Sequence, residues 1–212
     1  MTAYLFDLDG TLADTLPIII HTSRLALAEL GGRISDAQIV SLIGVPLVES
    51  GEIMLGPGQG ERYLECYQKH FAAMDMSSLS AFSGLAELLA KLELGGGKLA
   101  CVTSKRRLPA QETLRKIGLF TYFTVLVSAE STKIHKPDAA PALTALSLLK
   151  AQKEKAVFIG DSIFDIGCAR NAGILSCGVT WGAGDKRQLI EAGADFIADT
   201  VQELAAILLA EL

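Results

Sequence analysis

Asp7 and Asp9 are separated by one residue and followed at once by Gly10 and Thr11. Alternate residues on an extended strand point to the same side. Both carboxylates can therefore project into one place, where the chain leaves the short apolar run Ala3-Tyr4-Leu5-Phe6. Like charges held that close repel, so a proton or cation must sit between them. Taken alone, the stretch reads equally well as an Asp-Gly turn after a strand. Distant residues decide between the two readings by supplying partners or failing to. The candidates are Thr103-Ser104, Lys136-Pro137, and Gly160-Asp161-Ser162 with Asp165 one turn further on.

Three acids at one rim call for a hard cation. Mg²⁺ prefers oxygen ligands and binds through one or two carboxylates plus substrate phosphate. Asp7 and Asp161 are the natural side-chain ligands. Thr103, Ser104 and Lys136 would then hold phosphate oxygens. With its charge neutralised, the Asp7 carboxylate can attack phosphorus and form an aspartyl-phosphate. Asp9 can protonate the leaving oxygen and then deprotonate the water that clears the intermediate. Thr11 and Asp165 are placed as support. Asp165 also follows Ser162 at capping-box spacing, which gives it a second reading as a helix cap.

Other residues near these stretches read more plainly. Lys105-Arg106-Arg107 could add positive potential over the crevice, but a charge run on a loop is more often solvated. Lys133 reads as a loop charge, and His135 has no partner visible in sequence. Asp14 either caps a helix or faces a hinge. Trp181 either packs in the core or shapes the pocket.

The elements that must position these residues are short. From residue 84 onward, brief continuous apolar strands alternate with helices, as in a parallel sheet covered on both faces. Strands are expected at Leu99–Val102, Val125–Val127, Ala156–Ile159, Leu175–Val179 and Phe196–Ile197. In such sheets ligands bind outside the carboxyl ends of the strands, which is where the polar residues fall. Residues 15 to 80 carry only helical signals: Pro17 in a first turn, a capping box at Ser35 to Gln38, Pro46 to Leu55, and Glu61 to Met76. The first strand is thus separated from the rest by a helical insertion. The expected division is 1–14 and 81–212 for the α/β core and 15–80 for the helical block.

Half of the 212 residues are apolar and a fifth are charged, with a formal net charge of −5. That balance argues against a broad nucleic-acid surface but leaves room for a small phosphate pocket. The four cysteines form no C-x-x-C pair, so zinc and thioredoxin-type readings lack support. Cys101 and Cys177 lie in strand-like runs and should be buried thiols, which fits a reducing cytoplasm. No apolar run approaches about 18 residues, so no membrane span is expected. Asp7 and Asp9 interrupt any secretory leader at once.

Taken together, Asp7-Leu8-Asp9-Gly10-Thr11-Leu12, Val102-Thr103-Ser104, Lys136-Pro137 and Gly160-Asp161-Ser162-Ile163-Phe164-Asp165 resemble the four ordered motifs of the haloacid dehalogenase-like hydrolases. The resemblance implies a Rossmann-like core, a helical cap inserted after the first motif, Mg²⁺, and phosphoryl transfer through Asp7. It also implies that Asp9 meets the metal through its backbone carbonyl. Within the family the chain is similar to phosphoglycolate phosphatases and related pyrophosphatases, through Gly10 to Thr15, Gly44 to Leu47 and Ala169 to Gly173. The expected substrate is a small phosphorylated metabolite. Dehalogenation does not fit, because Asp9 is present. Phosphonate cleavage through a cap Schiff base does not fit either, because no Lys occurs between Thr11 and Gln68. A sugar phosphomutase or inorganic pyrophosphatase stays open, as does a non-catalytic relative that binds phosphate ligands or a protein. A signalling receiver domain would carry no long helical insertion.

Overall fold

The computed structural model describes residues 2–210. β1 (Ala3–Phe6) is followed by five helices: α1 (Leu16–Glu29), α2 (Asp36–Ser41), α3 (Leu47–Leu55), α4 (Gly60–Ala72) and α5 (Leu85–Leu94). Then β2 (Lys98–Val102), α6 (Arg107–Lys116), β3 (Val125–Val127), α7 (Ala140–Leu149), β4 (Ala156–Gly160) and α8 (Ile163–Ala172) alternate. β5 (Leu175–Val179), α9 (Lys186–Glu191), β6 (Phe196–Ala198) and α10 (Val201–Ala210) complete the described chain. All the expected strands are present, and every pairing is parallel. The stretch from Val201 to Leu212 predicts a closing helix, and residues 211–212 of it lie outside the described residues.

The sheet order is β3-β2-β1-β4-β5-β6. The chain therefore steps to one side of β1 through β2 and β3, then crosses to the other side at β4. That reversal opens a crevice at the carboxyl ends of β1 and β4. Strand periodicity sorts the side chains between two cores. Tyr4, Phe6, Cys101, Ile159 and Cys177 pack with Leu89, Leu114 and Leu204 of α5, α6 and α10. Ala3, Leu5, Val102 and Phe158 pack with Leu146 and Ala169 of α7 and α8 on the opposite face. Burial on both faces explains why the strands read as unbroken apolar runs.

The chain leaves this core at Ala13, which pairs antiparallel with Ala81. The Asp14 N–H donates to Ser80 O at 3.0 Å and the Phe82 N–H to Leu12 O at 3.3 Å. Between these two crossing strands, α1 to α4 bury Ala26, Leu27, Ile39, Tyr63 and Tyr67 in a cluster of their own. The Ser35–Gln38 capping box forms as its spacing predicts. α4 stops at Ala72 rather than running to Met76. Asp75 accepts from the Ser77 N–H at 2.8 Å, a local side-chain turn that competes with helix. Asp14 is exposed and caps nothing; it sits at the crossing strands.

Candidate active site

The ends of β1 and β4 deliver the acids. The Asp7 N–H still donates to Ile159 O at 2.9 Å, so its side chain is set by the last rung of the ladder. Asp161 follows β4 directly, and Asp165 lies on the first turn of α8. Asp7, Asp161 and Asp165 are all buried, and each offers a carboxylate oxygen within 4.8 Å of the others. One ammonium is set among them. Lys136 Nζ donates to Asp7 Oδ1 at 2.7 Å, Asp165 Oδ1 at 2.6 Å and Val102 O at 3.4 Å. Three N–H groups meet three acceptors, which is the full donor capacity of a lysine.

Three buried carboxylates against one cation leave an excess of negative charge. Burial pushes the Asp7 carboxyl well above its ordinary range; the Lys136 charge opposes this and the neighbouring Asp165 and Asp161 add to it. Burial and the Asp165 charge raise Asp161 to about 7, against the Ala183 N–H, the Thr11 hydroxyl and Lys136. Burial works against the Lys136 ammonium, but the Asp165 and Asp7 charges outweigh it and push its pKa up. Asp161 is also held tightly. It accepts from Thr11 Oγ1 at 3.0 Å and from the Ala183 N–H at 2.6 Å. Gly10, at φ +85°, brings its backbone so close that a Cβ there would collide with the Asp161 carboxylate.

Asp165 resolves its two readings by using both oxygens. Oδ2 accepts from the Ser162 N–H at 3.1 Å and the Ser162 hydroxyl at 2.6 Å, the reciprocal half of a capping box. Oδ1 remains for Lys136. A carboxylate can cap a helix and anchor a site at once.

Asp9 stands apart from this cluster. Its carboxylate accepts from Lys105 Nζ at 2.8 and 3.1 Å, and the same ammonium lies 5.3 Å from the Phe71 ring centroid. Of the two readings of Lys105, the structure favours the one over the crevice, because its partners come from the turn after β1 and from α4, which the sequence separates widely. Arg106 does follow the expectation, pairing with Glu130 at 2.9 Å on the surface. Thr103 is buried and its Oγ1 accepts from the Lys105 N–H at 3.1 Å, which leaves the hydroxyl proton free to donate. The Ser104 hydroxyl donates to Gly44 O across the crevice. His135 faces Glu49 of α3 at 3.7 Å. Trp181 donates to Thr11 O at 3.2 Å and packs 6.0 Å from Phe82, so it serves packing.

Asp7, Asp9, Thr103, Ser104 and Lys105 form the sheet side of a cavity of about 460 Å³. Its opposite wall comes from α2, α3 and α4. Lys136, Asp161, Asp165 and Thr11 stand behind Asp7 and do not line it. The sequence reading does not mark Glu49 or Phe71, which carry no local signal.

The family model of the haloacid dehalogenase-like hydrolases matches residues 4–179. This chain belongs to that family. A phosphoglycolate phosphatase from Cupriavidus necator is 34% identical, across 98% of this chain and 93% of the relative. The pyrophosphatase PpaX of Listeria monocytogenes is 31% identical, across 98% and 96%. A haloacid dehalogenase-like family hydrolase from Streptococcus pneumoniae superposes with a TM-score of 0.85 at 28% identity, covering 98% of each chain. The chain is a hydrolase of this family, and its relatives carry phosphatase and pyrophosphatase names.

Proposed function

We propose that this hydrolase is a Mg²⁺-dependent phosphatase that cleaves small phosphomonoesters through an aspartyl-phosphate on Asp7. One observation carries the reading: three buried carboxylates around a single ammonium, with Asp7 alone of the three reaching the cavity. The donor set suits a hard divalent cation. Asp165 is committed to Lys136 and Ser162, so Asp7 and Asp161 would hold the ion, with the Asp9 main-chain carbonyl. Bound there, Mg²⁺ supplies charge neutralisation for carboxylates and phosphate alike.

The residues divide the remaining work. Lys136 takes Asp7 Oδ1, which leaves Oδ2 to attack phosphorus. As that bond forms, the bond from phosphorus to the leaving oxygen breaks, and Asp9 gives the departing oxygen its proton. Asp9 then takes a proton from water as the water attacks the aspartyl-phosphate, releasing phosphate and restoring Asp7. Thr103 and the Ser104 backbone donate to phosphate oxygens. Lys136 orients Asp7 and supplies positive charge from behind it. Thr11 orients Asp161 and Asp165 orients Lys136. Residues 15–80 act as the cap, closing over the phosphate and excluding water.

The relatives' names keep phosphoglycolate and pyrophosphate in view as substrates, and a phosphomutase would use the same acids. No helix among the described residues is long and apolar enough to cross a membrane. The four free cysteines, three of them buried, suit a cytoplasmic setting. Phosphate release from a panel of phosphorylated metabolites, with Mg²⁺ and with excess chelator, tests the reading. Turnover that survives chelation would reject it.

A further inference from the structure

The helical wall of the cavity is built for something other than an anion. Phe71, Tyr67 and Leu64 of α4 face Leu47 and Val48 of α3 and Ile43 across the space. Tyr67 and Phe71 stack with centroids 5.9 Å apart, so α4 puts aromatic carbon on this wall. The volume of about 460 Å³ falls among pockets that enclose whole small organic molecules, about 300 to 1,000 Å³. A phosphoryl group with glycolate, or with a second phosphate, would leave much of it to water.

Charge points the same way. Five carboxylates line the cavity against two permanent cations, Lys105 and Arg106. Lys105 is paired with Asp9, Arg106 with Glu130, and His135 faces Glu49. Each lining cation among the described residues thus already faces a carboxylate. An anionic leaving group would have to compete for those cations and would also meet Glu61, which pairs with none of them.

We propose that the alcohol this enzyme releases is uncharged and carries a flat apolar group, so that its substrates are monophosphate esters of aryl-bearing alcohols. The phosphate sits at Asp7 and the ring lies against the α4 wall. This rests on the phosphomonoester reading above and goes beyond the relatives' names, which point to anionic leaving groups. Bond making and breaking are unchanged: Asp7 displaces the alkoxide, which takes its proton from Asp9.

The test compares benzyl phosphate with ethyl phosphate, 2-phosphoglycolate and pyrophosphate on the Mg²⁺-loaded wild-type enzyme. Benzyl and ethyl phosphate release alkoxides of similar basicity, so a difference between them reports the pocket. Benzyl phosphate should have the highest kcat/KM, by at least about tenfold over ethyl phosphate. Phe71→Ala should shrink the benzyl-to-ethyl ratio by about tenfold. If ethyl phosphate, phosphoglycolate or pyrophosphate matches or exceeds benzyl phosphate, the aryl subsite is overturned and the phosphatase reading stands. If none of the four releases phosphate, both fall together. The wild-type comparison decides the matter even if Phe71→Ala folds poorly.

Discussion

Beneath the sheet side of the cavity, Asp7, Asp165 and Lys136 are buried and tied to one another, and Asp161 is held beside them by Thr11 and the Ala183 N–H. On the helical side, Phe71, Tyr67, Leu64 and Leu47 make an apolar surface. The first region works by fixing charges in a dry setting, where each interaction is strong and each loss severe. The second works by area and shape, where single changes are small and graded. Reaction type is thus set by a few irreplaceable groups on one rim, and substrate choice by many replaceable ones facing it.

If that contrast is sound, the largest effect lies on the rim. Asp7→Asn should lower phosphate release at least about 10³-fold while circular dichroism shows the fold intact. Turnover near the wild-type level would remove the nucleophile. Lys136→Ala comes next. It leaves Asp7 and Asp165 buried without their cation, a change that costs about 3 to 5 kcal/mol when a buried pair is broken. Denaturant unfolding reads this directly, and an unchanged midpoint would show that the pair is not held as described.

The rim should also respond to pH in a way the wall does not. In the metal-free protein, Asp161 is raised to about 7, so folding takes up a proton there. The stability this contributes is fully present below the ordinary Asp range and is lost as pH rises through about 7. Mg²⁺ competes with that proton. The rise in Tm on adding Mg²⁺ should therefore be larger at about pH 8 than at about pH 6. An equal rise at both would separate the metal from Asp161. The smallest expected effect is at the seam between the two regions. Ser104→Ala removes the hydroxyl that reaches Gly44 O and should change KM only about two- to fivefold, since a single neutral hydrogen bond is worth about 1 kcal/mol net.

The two regions also differ in how they show in sequence. The rim is legible because acids, a threonine and a lysine stand where apolar strands end, and nothing in packing requires them there. Six short apolar runs likewise announce a sheet buried on both faces. The wall is illegible for the converse reason. Phe71 lining a cavity and Leu27 filling the helical block's own core are the same kind of residue at the same helical spacing. Lys105 shows a second limit: a role over the crevice and a solvated basic run read alike in sequence, because Asp9 and Phe71 reach it only in the folded chain. Asp165 shows a third: cap and site looked like rivals, but a carboxylate has two oxygens and this one uses each for a different purpose.

Under the proposed mechanism, Asp7 carries the phosphoryl group between the two half-reactions. Wild-type enzyme turning over a phosphomonoester with Mg²⁺ can be quenched in acid, digested and weighed by mass spectrometry. One added phosphoryl group is expected on the peptide containing Asp7, absent from Asp7→Asn and from enzyme given chelator before substrate. A phosphoryl group found on another residue, or none on that peptide under steady turnover, would contradict it.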